Sequence, residues 1–190
     1  MKFVQKEFSA ILEEKKSKFI SYLVPYNDFS KTIQRLKEEH PKAVHHVYAY
    51  RYLNEFEQIV ENSSDDGEPK GTSGKPSLAV LAGNELINSA VIIVRYFGGI
   101  KLGTGGLVRA YGDSVNEVIK IATFKEYKKL LTKTLICDYN ELSKLEYLLN
   151  QENITIKNKE FLNQITLTIE LTDEQLEVLK TLLSRNILLS

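Results

Sequence analysis

Ala90-Val91-Ile92-Ile93-Val94-Arg95-Tyr96-Phe97 runs without interruption into Gly98-Gly99-Ile100-Lys101-Leu102-Gly103-Thr104-Gly105-Gly106. The first eight residues are almost wholly apolar and largely β-branched, the pattern of a strand buried on both faces. Beyond the glycines, Leu107, Tyr111, Val115, Val118 and Ala122 recur at helical spacing, which predicts an amphipathic helix to about residue 123. Strand, glycine-rich turn and helix in succession fix the centre of an α/β arrangement. A helix N-terminus presents unpaired N–H groups and positive dipole, so this turn is a candidate anion site. Arg95, Lys101 and Arg109 flank it and can each add a charge-assisted contact. Gly98, Gly99, Gly103, Gly105 and Gly106 supply a bare backbone there. Neither the Walker GxxxxGK[ST] pattern nor the Rossmann GxGxxG form is present.

Working towards the N-terminus, residues 62–77 (NSSDDGEPKGTSGKPS) read as a long polar loop, and Ser77 to Leu81 begins a short helix or strand. Asp65, Asp66 and Glu68 lie close enough in this loop to share a divalent cation, although clustered acids beside glycine also form turns. Before it, residues 45–52 (HHVYAYRY) read as a strand. Its period of two sends His46, Tyr48, Tyr50 and Tyr52 to one face and His45, Val47, Ala49 and Arg51 to the other. The tyrosine face can stack unpaired bases or pack a core. Residues 19–25 (FISYLVP) predict a strand, and residues 30–40 a helix that Pro41 stops. Ser73, His45 and Asp66 could be assembled into a nucleophilic triad, but no nucleophile elbow marks one.

Towards the C-terminus the pattern changes near residues 125–133. A strand over 130–139, a helix over 140–150, and strands over 154–159 and 164–171 come next. A helix opening at Thr172 and an apolar stub at 187–189 follow. That order is βαββα(β), the ferredoxin-like split unit. The expected division is therefore 1–129 and 130–190.

The 190 residues carry 25 basic and 25 acidic side chains, so net charge gives no reason to expect nucleic acid. Its distribution says more: residues 1–130 hold 19 basic and 16 acidic groups, residues 131–190 hold 6 and 9. A single cysteine, Cys137, excludes an intramolecular disulfide and a thiolate metal cluster. The N-terminus lacks the apolar core of a secretory signal, and no apolar run approaches the roughly 20 residues of a membrane span. The chain reads as cytoplasmic, with no metal or cofactor and no membrane partner.

Three blocks together, HHVYAYRY, SDDGEPKGTSGKP and VIIVRYFGGIKLGTGGLVRAYGDSV, resemble the YigZ/IMPACT family in order and spacing. The resemblance covers nearly the whole chain. It implies an α+β protein: an N-terminal ribosomal-protein domain-2-like α/β domain, then a ferredoxin-like domain similar to the last domain of elongation factor G. His45, Tyr48 and Tyr50 fall on the family's histidine motif. Asp65, Asp66, Glu68, Gly71, Thr72 and Gly74 fall on its loop, and Arg95, Gly98, Gly99, Lys101, Gly103, Gly105, Gly106 and Arg109 on its main motif. Two positions depart: Val47 stands where a cysteine is common, and Ser73 where alanine is usual. Eukaryotic relatives are associated with control of translation under amino-acid starvation, and bacterial ones look like binders of nucleic acid or the translation machinery. The implied function is a translation-associated regulatory binding protein engaging RNA or ribosomal components. The alternatives are a phosphate- or nucleotide-binding enzyme using residues 98–106 and a protein–protein adaptor.

Overall fold

A computed structural model describes residues 1–184 and 186–190. The chain divides into two compact units, Met1–Tyr127 and Lys128–Ser190.

The first unit is built on a five-stranded antiparallel sheet. Its strands are β2 (Phe8–Glu14), β3 (Ser17–Pro25), β4 (His45–Leu53), β5 (Ile59–Ser64) and β6 (Ser89–Tyr96), in the order β2-β3-β6-β4-β5. A short strand β1 (Lys2–Phe3) pairs instead with β7 (Lys125–Glu126) and ties the ends of the unit together. Helices α2 (Gly74–Gly83) and α3 (Gly103–Ile121) cover one face of the sheet, and α1 (Phe29–Glu39) lies on the other. The apolar run of β6 explains its central place. Val91 and Ile93 join the core under α2 and α3, while Ile92 and Val94 join the core under α1. Each fully buried aliphatic side chain of this kind contributes about 1.5–3 kcal/mol.

Two features differ from the sequence reading. The N-terminal segment forms a hairpin, β2–β3, whose turn is Lys15-Lys16 with both residues at positive φ (46° and 63°). Lysine carries no turn signature, so the hairpin is legible only in the alternation of Phe8, Ala10 and Leu12 towards the core. The polar stretch 62–77 is also shorter as a loop than its composition suggests. Its first residues complete β5, an edge strand where polar side chains are tolerated, and its last residues begin α2.

The second unit contains β8 (Leu131–Cys137), α4 (Leu142–Gln151), β9 (Thr155–Phe161), β10 (Ile165–Leu171), α5 (Asp173–Leu182) and β11 (Leu188–Leu189). Its antiparallel sheet has the order β11-β8-β10-β9, the ferredoxin-like arrangement. The alternation in β10 buries Ile165, Leu167, Ile169 and Leu171 together with Leu145, Leu149 and Leu179 from the helices. α5 begins with a capping box: Gln175 N donates to Thr172 Oγ1 (3.2 Å) and Thr172 N to Gln175 Oε1 (2.9 Å). The last strand is only two residues long and pairs with β8. Among the described residues no helix is long and apolar enough to cross a membrane.

Candidate nucleic-acid interface at the start of α3

The register between β4 and β6 pairs His45 with Arg95, so both side chains leave the sheet on the face that carries α2 and α3. The loop after β5 brings a third group to them. Asp65 folds that loop around itself: its carboxylate accepts from Gly71 N (2.6 Å), Ser73 N (3.2 Å), Ser73 Oγ (2.8 Å) and Gly74 N (2.8 Å). Burial opposes ionisation of Asp65, but these donors outweigh it and hold the carboxyl below the ordinary carboxylate range. Asp66, at positive φ, accepts from His46 N on its carboxylate (2.5 Å) and from His45 Nδ1 on its carbonyl (2.7 Å). The turn then reverses through Gly67, at φ 87°, and sets Glu68 against His45 of β4 and Arg95 of β6.

Glu68 is 8% exposed and Arg95 5% exposed. Glu68 Oε1 accepts from Arg95 Nη1 and from Tyr111 Oη, the latter at 2.8 Å. His45 Nε2 stands 3.7 Å from the same oxygen. Burial, reinforced by the charge of Glu68, pushes the Tyr111 hydroxyl far above its usual range, so it stays a donor. Arg95 Nε is buried without a hydrogen-bond partner among the described residues, and the guanidinium carbon lies 5.8 Å from the Phe97 ring.

From Phe97 the chain turns outward. Gly98 presses against the β2–β3 turn: a Cβ there would lie 2.0 Å from the Lys16 carbonyl carbon, and Gly98 N donates to Ser17 Oγ (3.2 Å). Gly99 and Gly103 take positive φ (84° and 72°), which lets α3 start abruptly. Its N-cap is Leu102, and no side chain caps the helix. Two clefts flank Leu102. One, of about 360 Å³, has Glu68 and Arg95 with Phe97, Leu107, Lys101 and Thr104 around it. The other, of about 160 Å³, has Glu14, Lys15, Arg109 and Asp113. Among the described residues Lys15, Lys101 and Arg109 make no ion pair.

The structure therefore gathers His45, Glu68, Arg95, Lys101 and the glycine turn at one place, with Arg109 in the adjoining cleft. It does not bring Tyr48 and Tyr50 there. They lie on the opposite face against Phe29 (5.0 and 5.2 Å between ring centroids), so the tyrosines and His45 do not line one groove. Arg95 is not a free cation either, being paired beneath the surface with Glu68. The shared divalent site over Asp65, Asp66 and Glu68 is not formed, because each carboxylate already serves protein donors, and among the described residues no trio of metal-ligating side chains converges. Ser73 gives its hydroxyl proton to Asp65 rather than to His45. Gly71, at φ 78°, and Thr72, whose hydroxyl donates to Pro69 O (2.7 Å), shape the loop, while Gly74 packs against the Ser64 backbone. Sequence reasoning missed Lys15 and, although Phe97 falls on the family's main motif, gave that ring no binding role. Phe97 is 49% exposed, the aromatic that accompanies the cations in place of the tyrosines.

Residues 15–119 match the Impact N-terminal domain, and residues 135–186 match a domain of unknown function (DUF1949). The chain belongs to the IMPACT family. It is 37% identical over 168 residues to an IMPACT family member of Haemophilus influenzae, covering 87% of this chain and 82% of the relative. It is also 37% identical over 166 residues to the IMPACT family member YigZ of Escherichia coli, covering 86% and 81%. A solved structure described as a hypothetical protein shares 33% identity and a TM-score of 0.66 over 99% of this chain and 95% of its own. The site at the start of α3 lies wholly within the segment that matches the family's N-terminal domain.

Proposed function

We propose that this IMPACT family chain is a translation-associated regulatory binding protein that engages RNA at the start of α3. The observation that supports it most is the juxtaposition of an uncapped 19-residue helix with exposed Lys101, Lys15 and Arg109 and with exposed Phe97. A phosphate settles where backbone N–H groups and the helix dipole converge, and the flanking cations follow the next phosphates. Phe97 offers a face on which an unpaired base stacks, which favours single strands over duplex. The place in translation comes from the family resemblance.

The test is a fluorescence-anisotropy titration of the whole chain with short single-stranded and duplex RNA at two salt concentrations. Binding to single strands that weakens with salt is expected, with a log–log slope of about −0.7 per phosphate contacted. Lys101→Ala and Phe97→Ala, both at exposed positions, should weaken it without changing the melting transition. Absence of binding at low salt would remove the RNA reading and leave the protein adaptor. The enzyme alternative shares the same cleft and predicts stabilisation by a free nucleotide.

A further inference from the structure

The larger cleft beside α3 has a floor that an anion alone does not explain. Both donors that reach Glu68, from Arg95 and Tyr111, act on Oε1, and among the described residues no hydrogen bond is made to Oε2. The Arg95 guanidinium that holds Oε1 also has a buried Nε with no hydrogen-bond partner among the described residues. A buried guanidinium N–H left unpaired carries a desolvation cost, which a bound acceptor nearby relieves. The walls are apolar, with Phe97, Leu102 and Leu107, while Lys101 and Thr104 stand at the helix start. At about 360 Å³ the space is at the small end of ligand pockets, room for one ring system rather than several.

A carboxylate oxygen accepts only, so the ligand must bring a donor to Glu68, and a guanidinium donates only, so the ligand must bring an acceptor to Arg95. A donor and an acceptor side by side on a flat, stackable ring describe the pairing edge of a nucleobase. Amino-bearing bases suit the carboxylate best: cytosine N4 and adenine N6 donate outward, with a ring nitrogen acceptor next to them. Uracil offers one ring N–H between two carbonyl oxygens, which turn lone pairs towards the carboxylate. We propose that this cleft is a pocket for a single amino-bearing nucleobase, whose attached phosphate rests at the start of α3. This rests on the reading of that helix start as a phosphate site, and it adds base selectivity to a contact that would otherwise be indifferent to sequence.

The native chain decides the matter. Cytidine, adenosine and uridine 5′-monophosphates and ribose 5-phosphate are titrated separately by calorimetry, and C-only and U-only hexanucleotides by anisotropy. The expected result is a preference of about tenfold for cytidine and adenosine over uridine monophosphate, as one good base contact confers, with ribose 5-phosphate weaker still. If only the hexanucleotides bind and C exceeds U, the base comes from a strand; if the mononucleotides bind as well, free nucleotides also enter. Equal binding of all four small ligands, or of both hexanucleotides, overturns the pocket while leaving the phosphate site standing. No binding of any probe at low salt overturns both. Glu68→Gln keeps the side-chain shape and should bring the C-over-U ratio near one. Should that variant fail to fold, the ligand series on the native chain still stands as the test.

Discussion

His45 and Arg95 face each other across β4 and β6, and one carboxylate, Glu68, stands between their side chains, bonded to Arg95 and 3.7 Å from His45 Nε2. Two strands and a loop thus meet at one oxygen. Removing one member of a buried pair leaves the other charge stranded, at a cost of about 3–5 kcal/mol. Arg95→Ala is therefore expected to lower the urea midpoint of the first unit steeply, with or without RNA. A midpoint within a few tenths molar of the native one would mean that Arg95 is held by something other than Glu68.

Gly98 and Gly105 are expected to respond to alanine in opposite directions. Gly98→Ala drives a methyl group into the Lys16 backbone and should lower the melting temperature by several degrees. Gly105 sits in the first turn of α3, and a Cβ there meets nothing within 4 Å. Gly105→Ala should raise helix stability by about 0.5–1 kcal/mol, and RNA titration of this more stable variant would show whether bare backbone at that position serves the ligand.

His46 gives the first unit an acid sensitivity. Burial lowers its pKa below the ordinary histidine value, and its ring donates to the Leu36 carbonyl at 3.3 Å. The folded protein therefore binds that proton less readily than the unfolded chain. Its contribution is complete above the unfolded value of about 6.5 and is lost as pH falls below it. Urea unfolding at pH 7.5 and pH 5.5 should show a lower free energy at the acid pH. His46→Gln should reduce that difference, and an unchanged difference would assign it elsewhere.

The capping box of α5 predicts an effect confined to the second unit. Thr172→Ala removes the acceptor for Gln175 N and should cost about 0.5–2 kcal/mol. Two-probe unfolding should show the second unit melting earlier while the first is unchanged.

Exposed cations predict the salt response. Replacing Lys15 and Arg109 together by alanine should make the log–log slope of RNA binding shallower by about 1.4, two single-strand contacts. A slope unmoved by this pair would take the smaller cleft out of the path of the strand.

The centre of the fold was legible because β6 is apolar on both faces and α3 keeps one stripe, patterns that survive any tertiary detail. The period of two in β4 likewise separated His45 from Tyr48 and Tyr50, although the face each group would take up depended on where α1 packed. The pairing of Arg95 was not legible, since its partner lies 27 residues away in a loop whose course is set by the donors around Asp65. The first hairpin escaped notice because Lys15-Lys16 adopts left-handed backbone without the asparagine or glycine that usually announces it.

The position of β6 between β3 and β4 also has a consequence for how the chain is made. β3 and β4 never pair with each other; each finds its inner neighbour only in β6. Synthesis runs from the N-terminus at about 5–20 residues per second. Until residue 96 has left the ribosome, the strands of this sheet can pair only as two separate hairpins, β2–β3 and β4–β5, each with an unpaired inner edge. Those edges are open to strands of other chains until β6 emerges, and the apolar face carrying Phe19, Leu23, Val47 and Ala49 stays bare for longer, until α3 follows and covers it.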